Sequence, residues 1–155
     1  MKTTATALIA SMFLAGCAMH AGSHGGADHA RMHAAHHGPS AGKNRLVIQV
    51  SDNDPAKWNL ALNNARNVQK DLGADKVEIE IVAYGPGLNM VKAGSAVAPR
   101  IEEAVMAGTK IDACENTMAN TRVTKEQIIP GVAYVGSGVV QIMKRQQEGW
   151  SYLRP

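Results

Sequence analysis

From residue 44 onward the apolar positions switch between two spacings, and each change of spacing marks an element. Residues 44–52 (NRLVIQVSD) form a short β-branched apolar run that ends in turn formers, which predicts a buried strand. Asp54-Pro55 then offers an N-cap and a first-turn proline. Trp58, Ala61, Leu62, Ala65, Val68 and Leu72 recur at helical spacing until Gly73 supplies a stop. Residues 76–84 (KVEIEIVAY) return to strand patterning, with Val77, Ile79, Ile81 and Ala83 on one face, and close at Gly85-Pro86-Gly87. On this reading Glu78 and Glu80 share a solvated polar face. A weaker helical stretch follows over residues 97–107, with a stop at Gly108, and a third strand over 110–113 leads into Cys114. A helical turn at 124–127, a strand at 131–135, a helix over about 138–148 capped by Ser137 and a last short strand at 150–153 complete the pattern. Strands and helices alternating at these lengths predict a single α/β domain over 43–155: a mostly parallel five-stranded sheet with helices on both faces, three layers α/β/α.

Residues 1–42 follow neither spacing. Met1-Lys2 is a short positive start, residues 5–15 are mostly apolar, and Leu14-Ala15-Gly16-Cys17 closes the stretch, the layout of a secretory signal. The apolar run falls short of the roughly 20 residues a membrane-spanning helix needs. The LAGC tetrapeptide resembles the lipobox of bacterial lipoproteins, which implies cleavage before Cys17 and a lipid on its sulfur. The expected location is therefore the periplasm, with the chain anchored in the membrane by its N-terminal lipid. Ala18 in place of Asp after the cysteine points to the outer membrane. An ordinary signal peptide would leave a soluble periplasmic protein instead.

Residues 18–42 hold all six histidines (His20, His24, His29, His33, His36, His37) among Ala and Gly, with almost no large apolar side chain. Such a stretch cannot build a core and reads as a disordered tether. Imidazoles are good ligands for zinc, copper and nickel, so weak metal capture is one expectation for it. The histidine spacings match no closed structural site, and a polar linker is the other expectation.

Composition narrows the function of the remainder. A net charge of +3 is spread without a run of Lys or Arg, and aromatic residues are only 4% of the chain. Both argue against a nucleic-acid surface, which needs a basic stripe or stacking platforms. Of the two cysteines, Cys17 is assigned to lipid, leaving Cys114 as a single thiol that is either a buried small hydrophobe or placed for chemistry. No histidine falls within 43–155, so a Cys/His nucleophile pair is excluded there.

In a parallel sheet the ligand crevice lies beyond the carboxyl ends of the strands. The loops expected to meet there are Ser51-Asp52-Asn53 after the first strand, Tyr84-Gly85-Pro86-Gly87 with Leu88-Asn89 after the second, and Cys114-Glu115-Asn116-Thr117-Met118 after the third. Gly136-Ser137-Gly138, after the fourth strand, adds backbone N–H groups at a helix start. These glycines fit neither a Walker loop nor a dinucleotide fingerprint. Turn and cap chemistry alone would also explain Asp52, Asn53, Asn116 and Thr117. Glu115 beside Cys114 would disfavour a thiolate.

The stretches VIQVSDNDPAKWNLALNNARNVQKDLG, VEIEIVAYGPGLNM, IDACENTM and IIPGVAYVGSGVVQIMKRQQEGWSYLRP together resemble the DsrE/DsrF-like (YchN-like) family, over almost all of residues 44–155. The resemblance implies a compact parallel α/β domain, assembly into homo-oligomers, and sulfur-relay chemistry in which a cysteine at the end of a central strand accepts persulfide sulfur. The matching position is Cys114. On this expectation Cys114 takes sulfane sulfur from a donor protein and hands it on, with no cofactor, metal or nucleotide. The competing expectation is a non-catalytic, oligomeric ligand- or metal-binding module of the cell envelope. Val139, Val140, Ile142 and Met143 supply an apolar helix face for contact between copies.

Overall fold

The computed structural model describes residues 42–155. The expected signal segment and tether, with Cys17 and the six histidines, lie outside the described residues. Five strands, β1 (Asn44–Val50), β2 (Val77–Ala83), β3 (Lys110–Cys114), β4 (Ala133–Val135) and β5 (Ser151–Leu153), form one sheet in the order β4-β3-β2-β1-β5. Every neighbouring pair is parallel. Four α-helices connect them among the described residues: α1 (Pro55–Leu72), α2 (Ala98–Met106), α3 (Glu115–Thr121) and α4 (Gly138–Gln147).

Local chemistry sets the element ends. The Asp54 carboxylate accepts from the Ala56 N–H at 2.8 Å, with Pro55 in the first turn, so α1 begins where the sequence predicts. It ends at Gly73, whose φ of 92° is open to glycine at little cost. After β2 the chain forms a 3-10 helix, Gly85–Val91, rather than a simple turn. A Cβ on Gly87 would lie 2.3 Å from the Val50 carbonyl oxygen, so only glycine lets this segment pass the end of β1.

The chain steps from β1 through β2 and β3 to β4 in one direction, and α1, α2 and α3 pack on one face of the sheet. That face holds the main core: Ile48, Ile79, Ile81 and Ile111 from the strands meet Trp58, Ala61 and Leu62 of α1, Ile101 of α2 and Met118 of α3. From β4, at one edge, α4 then returns across the opposite face to β5 at the other edge. There the apolar packing is small, with Val47 and Val82 beneath Ile142. The predicted three-layer parallel α/β fold is the one observed, with its two outer layers unequal.

Two expectations change. The strand over 110–113 runs through Cys114, and Glu115 to Met118 are not a loop but the first turns of α3. Asn and Thr favour turns over helix interiors, which hid this helix from its pattern; Met118, 4% exposed in the core, holds it down. Ser137 sits at the N-cap position of α4 with extended backbone, yet its side chain makes no capping bond.

Candidate functional site

Reversal of the chain direction at β4 fixes the site. The connection leaving β3 goes to α3 on the main core face, and the connection leaving the adjacent β4 goes to α4 on the other. The strands stay paired up to Cys114 and Val135, but the connections leaving them part to opposite faces, and crevices of this kind are where parallel sheets bind ligands. Cys114, the last residue of β3, stands in it.

The residue is 4% exposed, and its sulfur has hydrogen-bonding partners on both sides. The Gly138 N–H at the start of α4 donates to Sγ at 3.3 Å, and the Gly136 carbonyl oxygen lies 4.0 Å away. Burial raises the thiol pKa, but hydrogen bonds from the Thr117 side chain and from the N–H groups of Gly138, Thr117 and Asn116 outweigh it, leaving the pKa below that of a free cysteine. The Thr117 hydroxyl, followed by oriented N–H dipoles, does most to stabilise the thiolate. The crevice is braced by two further bonds, Asn116 N–H to the Gly136 carbonyl at 3.1 Å and Gly85 N–H to Thr117 Oγ1 at 2.9 Å. The Tyr84 side chain leans on Gly138 so closely that a Cβ there would lie 2.8 Å from Tyr84 Cβ. Gly138 thus lets α4 approach close enough for its first N–H to reach the sulfur.

Of the residues expected at the crevice, the structure brings together Cys114, Asn116, Thr117, Gly136, Ser137, Tyr84 and Gly85. Gly87 serves the β1 crossing instead. The loop after β1 is engaged elsewhere: Ser51 Oγ accepts from Gln49 at 3.1 Å, Asp52 pairs with Lys57 at 3.1 Å and Arg154 at 3.6 Å, and Asn53 accepts from Asn89 at 3.1 Å. β2 separates that loop from β3. Glu115 points to solvent at 46% exposure and pairs with Lys125 at 3.3 Å, so it is not among the main groups that set the thiol pKa.

Below the cysteine, on the same face of the sheet, lies a cluster the sequence reading missed. Glu80 is not solvated; it and Asp112 are fully buried under α4. Glu80 accepts from Gln141 Nε2 at 2.7 Å and from Arg145 Nε, both on α4, and Lys110 Nζ reaches Glu80 and Asp112 at 3.0 Å each. Burial would raise the Glu80 pKa, but the adjacent Asp112 and the hydrogen bonds from Arg145, Lys110 and Gln141 lower it to about 2. Asp112 goes the other way, to about 7, because burial and the neighbouring Glu80 carboxylate outweigh Lys110. Below about pH 7 the pair therefore carries a carboxylate on Glu80 and a proton on Asp112. A signal existed: a carboxylate in the middle of a central parallel strand is covered on both faces and needs partners. Val139, Val140 and Met143 of α4 are exposed, whereas Ile142 is spent inside, so the expected outward apolar face has three members of the four. Among the described residues no group of three or more His, Cys, Asp and Glu side chains could hold a metal ion.

Three solved structures share this architecture. MTH1491 of Methanobacterium thermoautotrophicum is 34% identical, with a TM-score of 0.69 over 73% of this chain and 100% of its own. BT1422 of Bacteroides thetaiotaomicron is 19% identical, with a TM-score of 0.61 over 72% of this chain and 95% of its own. The ychN protein of E. coli is 11% identical, with a TM-score of 0.57 over 74% of this chain and 99% of its own. No curated protein matches the chain significantly. The model of the DsrE/DsrF-like family matches residues 44–155, the whole parallel sheet and its helices, and the chain belongs to that family.

Proposed function

We propose that this protein accepts and carries sulfane sulfur on Cys114. The DsrE/DsrF-like family is associated with sulfur relay in general. The observation that carries the reading is the Cys114 sulfur itself, held at the end of β3 by the Gly138 N–H at 3.3 Å and by Thr117, with its pKa lowered. In the loading step the Cys114 thiolate attacks the outer sulfur of a donor persulfide. The new bond joins Cys114 Sγ to that sulfur, the donor S–S bond breaks, and the donor leaves as a thiolate. The outer sulfur brings its proton with it and the charge leaves on the donor thiolate; once that proton passes to the departing thiolate or to water, the crevice N–H groups that face the thiolate suit the persulfide anion equally well. Delivery is the reverse: an acceptor thiolate takes the outer sulfur and Cys114 departs as the thiolate. The exchange needs no outside oxidant.

The lipobox-like LAGC and the stretch after it support a carrier tethered at the cell envelope through Cys17. Palmitate labelling of the wild type but not of Cys17→Ala checks that anchor. For the carrier itself, full-length Cys17→Ser protein, whose one thiol is Cys114, is treated with polysulfide and weighed intact. A gain of about 32 Da, one sulfur atom, that Cys114→Ser does not show is expected. A thiol that takes no sulfur and resists alkylation overturns the reading.

A further inference from the structure

We propose that Glu80 is a positioning residue for the Cys114 sulfur: its buried carboxylate grips α4 through Gln141 and Arg145 and so holds the Gly138 N–H against the thiolate. The inference deepens the carrier reading of Cys114 and rests on it. Residues 138, 141, 142 and 145 are spaced i, i+3, i+4 and i+7, one stripe of α4, and this stripe faces the sheet. The four members meet three sets of partners. Gly138 meets Tyr84 and the sulfur, Ile142 meets Val47 and Val82, and Gln141 and Arg145 both end on Glu80. The buried residues of α4 are Gly138 and Ile142 alone. A glycine has no side chain with which to adhere, so one isoleucine supplies the inward apolar contact. Glu80, centred on β2, takes half of the stripe.

A helix is stiff along its axis, with a rise of about 1.5 Å per residue, so a shift at positions 141 and 145 is carried to position 138. An N–H donor loses strength quickly as distance and angle worsen, which makes the sulfur contact sensitive to where α4 sits. The ionisable groups around the grip are Asp112 and Lys110 on β3, Arg145 on α4 and Glu148 just past its end. Those nearer the sulfur are Glu115 of α3 and its partner Lys125.

A positioning role and a direct charge effect have opposite signs. Removing a negative charge near a thiol favours the thiolate and lowers its titration midpoint. Loss of the Gly138 contact disfavours the thiolate and raises the midpoint. The test is the pH titration of the Cys114 thiolate by its ultraviolet absorbance in full-length Cys17→Ser protein, alone and combined with Glu80→Gln, Gln141→Leu or Asp112→Asn. Glu80→Gln is expected to raise the midpoint by about half a unit or more. Gln141→Leu, which removes one grip contact and no charge, moves it the same way by less, and it decides the matter should Glu80→Gln fail to fold. Asp112→Asn touches no grip contact and removes only a charge that Asp112 gains above about pH 7, so it leaves the midpoint in place or lowers it and does not raise it. An unchanged or lowered midpoint in both grip variants overturns the inference. Sulfur loading of the unsubstituted Cys17→Ser protein is scored separately: without an adduct the carrier reading falls, while the titrations still decide whether Glu80 positions the thiol.

Discussion

On the face covered by α1, α2 and α3 the inward strand positions run Ile48 and Val50, Ile79 and Ile81, Ile111 and Ala113, and every one is buried against apolar helix residues. On the α4 face the corresponding stretch buries Val47, Glu80, Val82, Asp112 and Cys114 under a single helix. The same three strands supply both surfaces. One is a close-packed apolar interior whose strength comes from area removed from water. The other is a small polar interior in which each buried group depends on a named partner. Stability and chemistry are thus divided between the two sides of one sheet, and a substitution should show which side it strikes by what it changes.

The largest effect belongs to the apolar side. Ile81 is fully buried at the centre of the sheet, and Ile81→Ala removes three methyl or methylene groups from a packed site. A loss of about 2 to 5 kcal/mol is expected in urea unfolding. The thiol midpoint of the folded protein should stay where it is, because Ile81 faces away from Cys114. A shifted midpoint would mean that the two faces are coupled through the strands.

How far each face was legible in the sequence follows from the same contrast. Asp54-Pro55, the helical spacing up to Leu72 and the stop at Gly73 are local signals, and α1 lies where they put it. The strands were equally plain because their apolar residues repeat within a few positions. Cys114 could be placed at the end of β3, and the glycines after β4 beside it, since the sheet topology brings those two loops together. Glu80 could not be placed from its own neighbourhood. Alternation of polar and apolar residues along β2 looks the same whether the polar face meets water or a helix, and the covering helix begins fifty-eight residues later, at Gly138. Its partners Gln141 and Arg145 look like ordinary surface residues of an amphipathic helix. Ser51, Asp52 and Asn53 were drawn to the crevice by the rule about carboxyl ends, but the site sits where α3 and α4 part, two strands away.

A middle-sized effect, of opposite sign, is expected at Asp112. Its pKa is raised to about 7, so between about pH 4 and pH 7 the folded chain holds a proton that the unfolded chain has released. Stability from this group is therefore greatest at the acid end of that window and is lost as pH rises through about 7. Glu80, lowered to about 2, contributes stability that is present above about pH 4.5 and is lost as pH falls towards 2. Asp112→Asn keeps the shape and removes the ionisation. Urea unfolding at pH 5 and at pH 8 should show the wild type weaker at pH 8 and the variant nearly level, with a gain at pH 8 of about 1 to 3 kcal/mol. A variant that follows the wild-type slope would show that Asp112 titrates as an ordinary carboxylate.

The smallest effect should come from Glu115, although it is the carboxylate nearest to Cys114 in sequence. Adjacent residues at a strand-to-helix junction send their side chains in different directions. Here Cys114 turns in beneath α4 while Glu115, in the first turn of α3, turns out to Lys125. Its charge is half exposed and faces a cation at 3.3 Å, so solvent and Lys125 together screen what it could do to the sulfur. Exposed pairs of this kind contribute about 0 to 1 kcal/mol to folding. Glu115→Gln should therefore leave unfolding within that range and change the alkylation rate of Cys114 near neutral pH by less than about threefold, the size of a charge effect of under 1 kcal/mol in water. A tenfold acceleration would mean that the carboxylate turns towards the sulfur and holds the thiol in check, and Glu115 would then join the Gly138 N–H among the groups that set its reactivity.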